Sequence, residues 1–176
     1  QFGKNFLLDG SRGASGVVAG ANLVFVGATD EAKSSGPGGY AVTIRTAASR
    51  AERTGTIPLS QAIIDAGEHL TLTEGGRTLN FRTLPGENVE QNLNLLDSKI
   101  KQSGLNVELV RPEIRPADAT QPQSITIRHK EYGSEHSFQV ASNTPGLLST
   151  QPDVPVWVQN GVDVEGAING EDATGR

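Results

Sequence analysis

Two imidazoles and two carboxylates fall within eight residues of this sequence, at His129, Glu131, Glu135 and His136. These are side-chain types that hold divalent cations. Their spacing argues against that use. The His-Glu-x-x-His pattern, which sets two imidazoles one helical turn apart with a general base between them, does not occur. The His-x-Glu of zinc deaminases is present as His129-Lys130-Glu131, but its thiolate ligands cannot come from a chain without Cys. On a hairpin turning at Gly133 these polar side chains would face water, and that surface reading outweighs the metal site.

Other chemistries find less. A nucleophilic Ser needs a strained elbow, and Gly-x-Ser-x-Gly is absent. The glycine-rich start lacks Gly-Lys-[Ser/Thr] and does not run from a strand into a helix, so its glycines read as turn residues, not a phosphate cradle. Arg45, Arg50, Arg53 and Arg77 could form a basic face, but aromatics make up only 5% of the chain, too few to stack bases, and a solvated surface is the better reading. Trp157, the sole Trp, lies in an apolar run after Pro155 and is expected to pack in the core. Asn-x-Ser/Thr does not occur, while exposed Ser and Thr remain open to O-glycosylation.

The elements that would position these residues follow from periodicity. Glycines at 3, 10, 13, 16 and 20 break residues 1–20 into turns, a lead-in segment. Leu23-Val24-Phe25-Val26 reads as a short buried strand, and Ser34 to Gly39 as a loop. Tyr40 to Ala47 alternates as a half-buried strand would, with Tyr40, Val42 and Ile44 on one face. Residues 48–68 stay open: Ala47 to Arg53 suits a continued strand or a helix, and Leu59 to Ala66 suits a short helix after Pro58. His69 to Thr73 and Arg77 to Arg82 flank Glu74-Gly75-Gly76, which is hairpin chemistry.

After Pro85-Gly86, residues 88–103 place Val89, Leu93, Leu96 and Ile100 on one stripe of an amphipathic helix. Asn88 and Gln91 form a capping pair, and Gly104 supplies a left-handed stop. Asn106 to Val110 reads as a strand. Pro112, Pro116 and Pro122 then hold an extended connection that cannot join the centre of a sheet. A second hairpin is expected from Ser124 to Arg128 and Ser137 to Ala141 around Gly133, and a third from Val154 to Val158 and Val162 to Ile168 around Asn160-Gly161. The fold class is therefore α+β and strand-rich, antiparallel hairpins packed with one main helix. Two small subdomains are expected beyond the lead-in, residues 21–68 plus 143–176 and residues 69–142.

Composition sets the outer bounds. At 176 residues the chain can bury a core without staples, and an apolar share of 35% with 21 Gly suits a turn-rich fold that is still too apolar for disorder. A net charge of -5, with bases interleaved among acids as in Arg50, Glu52 and Arg53, is no nucleic-acid footprint. Without Cys the fold cannot depend on disulfides or thiolate sites. There is no long apolar run for a membrane span and no secretory leader pattern. A chain that starts Gln1-Phe2-Gly3, has no Met, and ends Thr174-Gly175-Arg176 reads as an excised piece.

The run Gln1-Phe2-Gly3-Lys4-Asn5-Phe6-Leu7-Leu8-Asp9-Gly10 resembles the stretch where the N-terminal helical region of a bacterial flagellin gives way to its variable outer part. The central hairpin, helix and strand are similar to the hook-type repeat of flagellins. Ile127 to Ser134, Ser137-Phe138-Gln139-Val140 and Asp163 to Glu171 are similar to outer-domain phrases in that family. The resemblance covers most of the chain loosely and its two ends best. The long terminal helices through which flagellins polymerise, and which carry most of their innate-immune recognition surface, have no counterpart here.

The resemblance implies residues 21–176 as an outer flagellin domain region, a structural part of the motility filament displayed outside the cell. It implies no catalytic, cofactor-binding or metal residue. The metallopeptidase that some flagellins carry would need His-Glu-x-x-His. Implied partners are other flagellin subunits, met mainly through helices not in this chain, with O-glycans on exposed hydroxyls, and neither nucleic acid nor membrane. A subunit exported unfolded avoids cross-links by having no Cys, and a polar, acidic exterior keeps neighbours soluble. An outer domain inserted between paired helices should bring Gln1 and Arg176 close together.

Three alternatives part from this reading. A filament-cap or hook-associated protein shares the repeat and the setting. A glycan-binding adhesion module would use Trp157, Tyr40 or Tyr132. A metal-dependent hydrolase would be centred on His129 and His136.

Overall fold

A computed structural model describes residues 38–111 and 121–175. The chain divides into two units, Gln1–Tyr40 and Ala41–Arg176, and every element below belongs to the second. The expected strand at Leu23 to Val26, most of the proline-rich connection, and the expected closeness of Gln1 and Arg176 lie outside the described residues.

In chain order the elements are β1 (Val42–Thr46), β2 (Glu52–Thr54), α1 (Gln61–Asp65), β3 (His69–Glu74), β4 (Arg77–Arg82), α2 (Val89–Ser103) and β5 (Val107–Val110). They continue with β6 (Thr126–His129), β7 (Gln139–Ser142), β8 (Val156–Trp157), β9 (Val164–Ile168) and β10 (Glu171–Gly175). The strands make three sheets, ordered β1-β9-β10, β2-β6-β5 and β4-β3-β7-β8. Among the described residues every pairing is antiparallel and α2 is the one long helix, so the fold is α+β and strand-rich.

The best-specified stretch is the middle. β3 and β4 pair from His69 with Arg82 to Glu74 with Arg77. Their turn takes positive φ at Gly75 and Gly76 (56° and 78°), which is what a two-residue hairpin turn of the tight, twisted kind demands. Helix α2 starts at a reciprocal cap: Gln91 N–H donates to the Asn88 side chain and Asn88 N–H to the Gln91 side chain, both at 2.8 Å. It ends at Gly104, φ 71°. Val89, Leu93, Leu96 and Ile100 are all buried against β4 and β5. Asn92 is buried too, because its side chain accepts from Leu84 N–H at 2.7 Å and donates to the Leu84, Glu87 and Asn88 carbonyls, satisfying the loop that feeds the helix.

The open region resolves both ways: part of Ala47 to Arg53 becomes β2, and a short α1 follows Pro58, capped by Ser60. Leu59, Ile64, Phe81, Leu105, Ile127, Phe138 and Leu148 belong to one continuous core with the stripe of α2.

Two expected hairpins are not there. β6 is central, between β2 and β5, and β7 is central in another sheet, between β3 and β8. Residues 130–138 therefore carry the chain between sheets, and each strand finds two partners where a hairpin would have given one. Likewise β8 pairs with β7, and β9 with β1 and β10. The turn in this part of the chain is Asn169-Gly170, with φ of 53° and 87°, joining β9 to β10. Gly161 serves a different need, since a Cβ there would lie 2.2 Å from the Ser49 carbonyl oxygen. Strand β1 forms where the alternation places it, but its apolar face is not half-buried: Val42 and Ile44 are both exposed.

Candidate functional site

The sequence brings His129, Glu131, Glu135 and His136 together on paper, and the fold brings three of them together in space with a fourth group the sequence does not suggest. His129 ends β6 and is buried, contrary to the expected water-facing position. Its backbone N–H donates to the Ala51 carbonyl at 2.8 Å. The imidazole Nδ1 accepts from Glu131 N–H at 3.0 Å, which in the neutral ring leaves the proton on Nε2. Nε2 faces Glu74 Oε1 of β3 at 3.8 Å. His136 lies flat on His129, ring centres 4.8 Å apart and planes within 10° of parallel, and its Nε2 meets Glu131 Oε2 at 3.0 Å.

This geometry suits packing better than metal chemistry. A zinc ion needs nitrogen ligands about 2.0–2.1 Å away along in-plane lone pairs. Stacked, parallel rings aim theirs along parallel planes, and one lone pair of His129 is already taken by a backbone N–H. Among the described residues no group of three or more His, Cys, Asp or Glu is placed to hold a metal ion. Calorimetric titration with zinc or calcium is expected to give no heat beyond dilution. A saturable one-to-one isotherm that vanishes in His136→Ala would overturn this account of the pair.

The arginines do not share a face. Arg45 on β1 binds Asp172 at 2.6 Å. Arg50 meets Glu108 at 3.1 Å and covers the Tyr132 ring, its guanidinium carbon 4.3 Å from the ring centre. Arg53 donates to the Leu148 carbonyl, and Arg77 to Gly104 at the C-terminus of α2. Each is committed to a different acid, ring or carbonyl. Glu108 also takes Arg128 on Nε and Nη2 at 3.0 and 2.8 Å, so this carboxylate joins β5 to β6 and to the segment before β2.

A shallow cleft of ≈ 450 Å³ lies beside the end of α2, lined by Glu74, Arg77, Lys101, Leu105, Asn106 and Lys130 among others. Sequence reasoning missed it because its lining comes from separate elements. Its polar groups are largely engaged within the fold. Glu74 accepts from Asn106 N–H at 3.1 Å, Lys101 pairs with Asp97 at 2.7 Å, and Arg77 and Lys101 both complement the negative end of the helix.

Trp157 is the clearest departure from expectation. It is 71% exposed, not in the core. The signal was legible in the alternation Val156, Trp157, Val158: Val158 is buried and Val156 packs against the core, which puts the indole on the opposite face.

No protein-family model and no curated protein matches the chain. Among solved structures it is similar to the D2-D3 domains of the flagellar cap protein FliD from Serratia marcescens, at 14% identity over 77% of this chain and 76% of that one, with a TM-score of 0.49. It is also similar to the D1-D2-D3 domains of FliD from Escherichia coli, at 10% identity over 77% of this chain and 40% of that one, with a TM-score of 0.44.

Proposed function

We propose that residues 21–176 are the outer region of a flagellin, a structural part of the extracellular filament that serves motility and performs no catalysis. The observation that carries this reading is the sheet β1-β9-β10, in which the first described strand pairs with one of the last, Val42 opposite Ile168. Val42 and Gly175 lie at opposite corners of this five-residue-deep sheet, roughly 17 Å apart at 3.4 Å per residue along the strands and 4.8 Å between them. That suits a body inserted into a loop between paired helices. The resemblance of Gln1 to Gly10 to a flagellin junction supplies the family, and the order β3, β4, α2, β5 supports a hook-type repeat. Partners would be other flagellin subunits, with O-glycans on exposed hydroxyls.

A domain of a filament-cap or hook-associated protein is the second reading, matching the name both solved neighbours carry; likeness at that level does not choose between the two. Immunogold electron microscopy of the source cells, with antibody raised to this chain, separates them. Label along the whole filament is expected. Label confined to the filament tip would transfer the chain to a cap protein, and label away from flagella would end both readings.

A further inference from the structure

The outer face of the sheet β4-β3-β7-β8 carries an unusual row. The register aligns Thr78, Thr73, Gln139 and Trp157 across the four strands, all on the side opposite the buried Leu72 and Val140. Directly opposed residues hold their Cβ atoms about 4.5–5.5 Å apart on one face, and four strands span about 14 Å. The row contains no ionisable side chain. Thr73 and Thr78 bond to each other at 3.1 Å, while among the described residues neither the Gln139 amide nor the indole N–H has a hydrogen-bond partner. Gln139 is half-buried and fixed in position by its strand pairings, so its amide stands beside the indole with its donors and acceptor open.

An indole held out into water beside a neutral file of hydroxyl and amide groups matches one ligand chemistry. The C–H face of a pyranose ring stacks on the indole, and its in-plane hydroxyls both donate to and accept from an amide and neighbouring Thr hydroxyls. We propose that this face binds an uncharged glycan, with Trp157 as the stacking platform and Gln139 as the main hydrogen-bonding group. The absence of charge along the row, in a chain of net charge -5, selects a neutral ligand over an acidic one. The length of the row, about 14 Å across four strands, selects an extended β-1,4-linked chain. This inference rests on the sheet face alone and stands or falls separately from the flagellar reading.

Because Trp157 is the sole Trp, its emission reports the site directly. Titration of the full chain with cellohexaose and with chitohexaose is expected to give a saturable change in intensity and wavelength for at least one of them. Gln139→Ala should weaken that binding about tenfold or more. Trp157→Ala, followed by calorimetry, should abolish it, with circular dichroism confirming an intact fold. Thr174→Ala on β10 should leave it unchanged. No saturable change with either sugar up to about 10 mM would overturn the proposal. So would a response to a heparin hexasaccharide alone, or binding that Gln139→Ala leaves untouched.

Discussion

Replacing Glu68 by Ala is expected to cost roughly 3–5 kcal/mol of folding stability, measured as a lower urea midpoint at unchanged slope. Glu68 is 1% exposed and has no cationic partner among the described residues. Its carboxylate instead accepts from Asn143 N–H at 2.7 Å, from Thr144 N–H at 3.1 Å on both oxygens, and from the Thr144 hydroxyl. Hydrogen bonds to a charged acceptor contribute about 1.5–3 kcal/mol each. Truncation also strands the Thr144 N–H where the chain leaves β7, while Asn143 N–H keeps the His69 carbonyl at 3.0 Å. Glu68→Gln keeps one carbonyl acceptor for the backbone donors and should cost less, about 1–2 kcal/mol. An Ala variant as stable as the parent would mean that the turn re-forms around water and that this carboxylate is dispensable.

Phe138→Ala is expected to have an effect of similar size, about 3–5 kcal/mol. The ring is fully buried just before β7, and the backbone carbonyl of the same residue accepts from Val158 N–H at 2.9 Å. That backbone tie and the pairing of β7 with β3 and β8 keep the chain in place and prevent the walls from collapsing into the void. Phe138→Leu fills part of the space and should cost about 1–2 kcal/mol. The contrast is Trp157→Ala, expected within about 0.5 kcal/mol of the parent because the indole buries little. Urea curves on the three variants test all of this at once. A Trp157→Ala loss as large as that of Phe138→Ala would place the indole in the core after all.

What could be read from the sequence was local. The β3-β4 hairpin, the capped helix α2 and the strand after it each depend on neighbours a few residues away: glycines that take positive φ, a cap three residues from its partner, a stripe at helical spacing. What could not be read was which strand chooses which. Ser124 to Arg128 and Ser137 to Ala141 were recognisable as strands, but nothing in their residues says that they enter different sheets. A central place, with a partner strand on each edge as β6 and β7 have, is decided by residues far along the chain.

Two Asn-Gly pairs illustrate the same limit. Asn169-Gly170 makes the turn, whereas Gly161 is needed for a close backbone approach to Ser49, and the dipeptide alone is the same in both. At the candidate sites, the pairing of His129 with Glu74 crosses two sheets and leaves no local trace. The exposure of Trp157, by contrast, was available from the phase of its neighbours.

The sheet that unites β1 with β9 and β10 bears on how the molecule comes into being. A polypeptide that emerges one end first has no mate for Val42 to Thr46 until the stretch around Val164 to Gly175 has also appeared. The central hairpin and helix can assemble on their own schedule, since their contacts are short in sequence, whereas closing the β1-β9-β10 sheet must wait for residues 164–175. Formation of this sheet is thus tied to the arrival of its last strands, and a molecule halted before them would keep β1 unpaired and available to others.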